Sequence, residues 1–177
     1  MAALIGLDLA QAGEIAAAAQ TGPEGETEVC STANDNAPGQ IVISGDKSAC
    51  KRAVKIIEIA GLRSAVLAVA GAFHSPIMQS AAERMREELA KTKISAPTTT
   101  IYSNVTAQPH TDPESIKRLL VEQIVSPVRW AQTMATLVAT GDARYIELTP
   151  GRTLAGLIKR INRRLPVEEN AGIKGSA

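Results

Sequence analysis

Aromatic side chains are scarce in this sequence: Phe73, Trp130, Tyr102 and Tyr145 are the whole set, 2% of 177 residues. A core must therefore be built from Ala, Val, Ile and Leu, and a hydrophobic content of 45% is enough to build one. Charge of one sign is not in excess. Lys and Arg number 19 against 18 Asp and Glu, a balance that gives no support for a nucleic-acid-binding or membrane-surface protein. Cysteine is sparse. Cys30 and Cys50 have no C-x-x-C or metal-ligand spacing, which argues against a disulfide scaffold. Free thiols in a reducing cytoplasm are the simplest reading. No apolar run reaches the length of a membrane-crossing helix. The start, Met1 to Leu9, lacks the basic region and long apolar stretch of a secretion signal. Internal repeats and low-complexity segments are absent too.

One more absence bears on chemistry. No Gly-x-Ser-x-Gly occurs; Ser44 precedes Gly45 but lacks the first glycine. What is present is a histidine in a particular place. An apolar run from Ala65 to Ala70 leads into Gly71-Ala72-Phe73-His74-Ser75-Pro76. Ser75 and Pro76 have the residue types of a helix N-cap and first helical position. A histidine between a strand end and a helix start is placed to act as a general base, and such a base serves a nucleophile that these residues do not supply. From pattern alone, a core or capping histidine is the competing reading.

Along the chain, Met1 to Leu7 reads as a buried strand, with Asp8 as N-cap of an Ala-rich helix over 10–20. The chain opens as though in the middle of a structure. Glu28 to Ala33 reads as a weak strand, Asn34 to Gly39 as a turn cluster, and Gln40 to Ser44 as a strand by its β-branched content. Asp46 caps a helix with apolar positions at Ala49, Ala53, Ile56, Ile57 and Ala60. Gly61 ends it, and Ser64 to Val69 is a further strand. The order β-α-β-β-α-β is that of a ferredoxin-like module. Beyond His74, a helix carries Met78, Ala81, Ala82, Met85 and Leu89 on one face, and Thr98 to Ser103 is a strand. Thr111-Asp112-Pro113-Glu114 has capping-box spacing before a helix burying Ile116, Leu119, Leu120 and Ile124. Ser126-Pro127 starts another helix, Tyr145 to Leu148 is a strand, and a last helix follows Pro150-Gly151. His110 reads as solvated loop.

Five stretches in this order carry a resemblance to a known family: Ala33-Asn34-Asp35-Asn36-Ala37-Pro38-Gly39-Gln40-Ile41-Val42-Ile43-Ser44-Gly45; Gly71-Ala72-Phe73-His74-Ser75; Ser103-Asn104-Val105; Val121-Glu122-Gln123-Ile124-Val125-Ser126-Pro127-Val128-Arg129-Trp130; and Glu147-Leu148-Thr149-Pro150-Gly151. Together they resemble the malonyl-CoA:acyl carrier protein transacylases and the acyltransferase domains of fatty-acid and polyketide synthases. The resemblance runs to about residue 164. It implies an α/β fold with a ferredoxin-like βαββαβ small subdomain (residues 1–70), followed by the C-terminal part of an α/β-hydrolase-like acyltransferase core (71–165) and a flexible tail (166–177).

The implied activity is malonyl transfer from CoA to the carrier's thiol in fatty-acid synthesis, through an acyl-serine. It needs no cofactor and no metal; malonyl-CoA is the substrate. The resemblance makes His74 the general base and the Gln123 backbone carbonyl its orienting partner. It makes Phe73 a size filter, since a ring before the histidine leaves no room for methylmalonyl; one methyl is worth about 1–3 kcal/mol. The competing reading of Phe73 is plain core. Asn34 and Asn36 match substrate-entrance positions, or they hold a turn. Asn104 is open in the same way. The exposed-type charges Lys159, Arg160, Arg163 and Arg164, with Arg152, suit docking of an acidic acyl carrier protein, or form a solvated helix face.

The family's oxyanion loop, its Gly-His-Ser-x-Gly elbow and its carboxylate-binding arginine have no match in this sequence. The expectation is a truncated or split enzyme, inactive alone, whose serine lies on a missing N-terminal half. An uncovered apolar face would then favour oligomers. The alternative is a non-catalytic module binding a carrier protein or another partner. No nucleic acid and no membrane are implied, and the expected location is cytoplasmic.

Overall fold

A computed structural model describes residues 1–141, 144–148 and 151–169. The first elements are β1 (Ala2–Ile5), α1 (Leu9–Ala18), β2 (Cys30–Ala37), β3 (Gln40–Gly45), α2 (Lys47–Ile59) and β4 (Arg63–Val66). The four strands form one antiparallel sheet in the order β2-β3-β1-β4. Side chains alternate across it, as strand geometry requires. Ala2, Leu4, Ile41 and Ile43 join Ala12, Ala16, Ala53 and Ile57 of α1 and α2 in the main core. Ala3, Ala33 and Val42 form a smaller cluster of their own. Strands β1 and β3 thus bury apolar side chains in both clusters, which is why each is a nearly continuous apolar run. Cys30 and Cys50 are free thiols, both buried.

Local chemistry sets most boundaries. Asp8 accepts the Gln11 N–H at 2.8 Å, and Gln11 Oε1 accepts the Asp8 N–H at 3.0 Å, a reciprocal cap. Asp46 stands at the N-cap of α2 without a capping bond. Its carboxylate instead accepts the Val29 N–H at 2.8 Å, tying the chain before β2 to the end of β3. Gly61 follows the α2 C-cap at φ 71°, the left-handed conformation glycine supplies there.

The second half contains a 3₁₀ turn (Pro76–Met78), α3 (Gln79–Lys91), a short hairpin of β5 (Ile101–Tyr102) and β6 (Pro109–His110), α4 (Pro113–Glu122), α5 (Trp130–Ala139), β7 (Tyr145–Glu147), α6 (Thr153–Ile161) and β8 (Val167–Glu169). Strands β7 and β8 pair in parallel. The whole is a mixed α/β structure. Among the described residues, no helix is long and apolar enough to cross a membrane, and no group of three His, Cys, Asp or Glu could hold a metal ion.

Several expectations are corrected. Asn34, Asp35 and Asn36 are not a turn: they lie within β2, and the turn is the two residues Pro38-Gly39, with Gly39 at φ 73°. The strand tolerates these poor strand formers because it is bulged at Thr32/Asn34 and Asp35/Ala37 and held on both edges. On the edge away from β3, the Asp35 N–H donates to the Val128 carbonyl and the Val128 N–H to the Ala33 carbonyl, each at 2.8 Å. That pairing holds Val128 in a bridge to β2, outside any helix, so α5 starts at Trp130 and not at Ser126-Pro127. The cap of α4 is Asp112, accepting the Ser115 N–H at 2.7 Å, not Thr111. The strand expected over 98–103 shrinks to Ile101–Tyr102, and that over 64–69 to Arg63–Val66. Of the apolar face expected on α3, only Ala82 is buried. On α4 the buried residues are Ile116, Leu119 and Val121, while Leu120 and Ile124 are half-buried. The tail is not polar coil throughout, because Val167–Glu169 form β8, backed by the Arg144–Glu168 ion pair. Thr149 and Pro150 of the fifth matching stretch, and the tail beyond 169, lie outside the described residues.

Candidate functional site

The end of α4 and the loop before the 3₁₀ turn build the site. Helix termini leave the last carbonyls without intrahelical partners. Gln123 is the C-cap of α4, and two successive carbonyls there are taken by one residue. The Gln123 carbonyl oxygen lies 2.7 Å from His74 Nδ1, and the Ile124 carbonyl accepts the His74 backbone N–H at 3.1 Å. A carbonyl can only accept, so the short contact puts the ring proton on Nδ1. Nε2 is then the basic nitrogen, and it has no hydrogen-bond partner among the described residues. The C-terminal end of a helix carries partial negative charge, which suits a ring that becomes cationic on taking a proton.

His74 has φ 58°, one of two non-glycine residues with positive φ among those described. That conformation is uncommon for a residue with a side chain and is found where surrounding contacts hold it. Here the two α4 carbonyls do so. Ser75 is fully buried, and its hydroxyl donates back to the Ala72 carbonyl at 2.6 Å, closing the loop around His74. Ser75 stands at the N-cap of the 3₁₀ turn with Pro76 following it, as expected, but makes no side-chain capping bond because that hydroxyl is already committed.

Phe73 is 41% exposed, so it is not core. Its ring lies against the backbone: a methyl built on Gly71 would sit 3.5 Å from it. Asn34 and Asn36 are half-buried on β2. Between them, burial pushes the Asp35 carboxyl up from its ordinary value. Strand β2 reaches the site through Val128, just beyond the α4 terminus. Lys159, Arg160, Arg163 and Arg164 are all exposed. The first three line an open depression with Pro38, next to the β2–β3 turn.

Sequence leaves Asn104 open between a substrate-entrance position and a turn, and assigns Glu147 no role. The Asn104 side-chain amide donates to Gln123 Oε1 at 3.1 Å. Glu147 is 3% exposed, and its two carboxylate oxygens accept the Leu154 and Ala155 N–H groups at 2.9 Å each. It thus places negative charge on the N-terminus of α6 and anchors the helix that carries Lys159 and Arg160. An acidic residue a few positions ahead of a helix start was the available signal.

The family model described as acyl transferase domain matches residues 8–173. The malonyl CoA-acyl carrier protein transacylase of Bacillus subtilis is 40% identical over 141 residues, covering 79% of this chain and 44% of its own length. The structure of the malonyl CoA-acyl carrier protein transacylase from Coxiella burnetii superposes with a TM-score of 0.89 at 34% identity, covering 95% of this chain and 52% of that one. A type II polyketide acyl-carrier protein in complex with its malonyl-transacylase matches with a TM-score of 0.88 at 32% identity, covering 95% and 53%. The chain spans about half the length of the relatives it matches. The His74 loop, the α4 terminus and these matches lead to one conclusion: the chain belongs to the acyl transferase domain family.

Proposed function

We propose that this chain supplies the histidine half of a malonyl transferase that moves malonyl from coenzyme A to the thiol of an acyl carrier protein. The observation that carries the reading is the 2.7 Å contact between His74 Nδ1 and the Gln123 carbonyl. It leaves Nε2 basic, as the chemistry requires. In the proposed reaction, a serine on a separate polypeptide segment attacks the thioester carbonyl while Nε2 takes the hydroxyl proton. Collapse of the tetrahedral intermediate breaks the C–S bond, and Nε2 returns the proton to the departing CoA thiolate. The carrier thiol then attacks the acyl-serine by the same steps in reverse. The backbone carbonyl takes the orienting part that a carboxylate plays in many triads.

On this reading residues 1–70 are a ferredoxin-like subdomain, 71–165 belong to a hydrolase-like core, and the chain is inactive alone. The sheet order β2-β3-β1-β4 supports the first assignment. The surface supports the need for a covering polypeptide: Val66, Leu148 and Ile146 are 75%, 64% and 47% exposed. A parallel pair of three-residue strands is a form seldom left uncovered. This reading assigns Asn34 and Asn36 to the substrate side, and the expected cytoplasmic location belongs to it too. The test is reconstitution: co-express the chain with the serine-bearing first half of the B. subtilis relative and assay malonyl transfer from malonyl-CoA to holo carrier protein. Restored transfer supports the reading; a stable complex without transfer contradicts it and favours a binding module.

Two finer assignments are tested in the same assay. Phe73→Ala is expected to improve methylmalonyl use relative to malonyl by about 10–200-fold; an unchanged ratio removes the size-filter role. Arg160→Glu with Arg163→Glu is expected to raise the KM for the acidic carrier by about tenfold, with malonyl-CoA hydrolysis unaffected. An unchanged carrier KM removes the basic surface at the end of α6 as the docking face.

A further inference from the structure

A helix-end carbonyl orients an imidazole only if the last turn holds still, and last turns fray. The turn after α4 is tightened by two i→i+3 bonds, Ile124 N–H to the Val121 carbonyl at 3.2 Å and Val125 N–H to the Glu122 carbonyl at 3.1 Å. These set its shape but do not fix it to anything outside the helix. Asn104 does. Its side-chain amide donates to Gln123 Oε1 at 3.1 Å, and its backbone carbonyl accepts the Arg129 N–H at 2.8 Å. One residue therefore grips the segment 123–129 at both ends. Between those ends lie Ile124, whose carbonyl holds the His74 N–H, and Val128, which pairs with β2.

Asn104 is itself firmly seated. Its neighbours Ser103 and Val105 are buried. The Ser103 hydroxyl accepts the Val105 N–H at 3.1 Å, and the Ser103 carbonyl accepts the Ala107 N–H at 2.9 Å. Ala107, buried, takes φ 55° to close that loop. Asn104 is exposed, so burial does not explain its contacts, and replacing it removes no core packing.

We infer that Asn104 is a positioning residue for His74: it holds the Gln123 turn so that the carbonyl meets Nδ1 and keeps Nε2 free. The inference rests on the reading of His74 as the base. Without the Asn104–Gln123 bond the turn gains freedom, the Nδ1 contact is made part of the time, and the ring relaxes towards the Nε2–H tautomer preferred by free imidazole. The proton then sits on the nitrogen that has to accept one.

The test uses this chain alone, ¹⁵N-labelled, with long-range ¹H–¹⁵N spectra of its two imidazoles above their titration range. His110 lies on β6 of the hairpin that carries Asn104, so its unchanged signals report that the hairpin is intact. Wild type is expected to show the Nδ1–H tautomer at His74. Asn104→Ala is expected to shift the ratio about fivefold towards Nε2–H, the effect of losing one hydrogen bond of ordinary strength. Gln123→Ala, which keeps the backbone carbonyl, is expected to give the same shift, and the double variant no more than either alone. An unchanged tautomer in Asn104→Ala, a wild type already in the Nε2–H form, or additive effects in the double variant would each overturn the inference. In the reconstituted enzyme, Asn104→Ala is expected to lower kcat about tenfold at unchanged KM; an unchanged kcat also overturns it. A reconstituted wild type without transfer, beside an intact tautomer shift, would contradict the proposed reaction and leave the Asn104–His74 coupling standing.

Discussion

Replacing His74 with alanine in the reconstituted enzyme is expected to lower kcat for malonyl transfer by about 10²–10⁴-fold, with the KM for malonyl-CoA nearly unchanged. The split between the two constants follows from geometry. His74 is held by backbone groups of its own chain, Nδ1 on the Gln123 carbonyl and N–H on the Ile124 carbonyl. Its proposed part in the reaction is to move a proton, a contribution made in the transition state and not in substrate binding. The substitution also removes a side chain that needs φ 58°, a conformation alanine adopts no more easily than histidine. His74→Gly, which relaxes the backbone, serves as a control: it is expected to lose as much activity as His74→Ala. Retention of more than about a tenth of wild-type kcat in both variants would contradict the assignment of the base.

Gly45→Ala is expected to be among the most damaging single-methyl changes in the chain. Gly45 is the last residue of β3 and stands opposite Cys30. A methyl there would lie 2.0 Å from the Val29 carbonyl oxygen and 2.8 Å from Cys30 Cα. Both are backbone atoms, so no side chain can swing away, and the strands themselves must part. That parting strains the two bonds that join this corner: Asp46 N–H to the Val29 carbonyl at 2.7 Å and Val29 N–H to the Asp46 carboxylate at 2.8 Å. Overpacking against fixed backbone costs about 3 kcal/mol, the upper end of its usual range. In a domain of this size that lowers the Tm by about 6–12 °C. A drop of less than about 2 °C in the chain's thermal melt would show that the corner yields more easily than its geometry allows.

How much of this could be read from residues depends on how local each cause is. The Asp8 cap, the β-branched run of β3 and the Gly61 stop act within a few residues, and all stand where sequence places them. The extent of β2 was not legible. Its Asn34-Asp35-Asn36 run has the composition of a turn and becomes strand only because Val128, far along the chain, supplies a second edge. The same pairing delays α5 to Trp130, which Ser126-Pro127 does not announce. Strand β8 escaped because its pairing with β7 spans α6, and a three-residue strand has no periodicity to detect. At the site, residue pattern alone left His74 open as a capping or core histidine. The contact with Gln123 came from family resemblance, since a backbone carbonyl as partner leaves no side-chain signature. The Asn104 clamp joins residues of unremarkable type across a long separation and needed coordinates to be seen.

We propose that this chain carries the base and that a different polypeptide segment carries the nucleophile. Intact-mass measurement after incubation with malonyl-CoA tests it directly, on the chain alone and on its mixture with the serine-bearing half. No malonyl adduct is expected on this chain in either sample, and one adduct is expected on the partner half in the mixture. A stable malonyl adduct on this chain, formed without any partner, would contradict it.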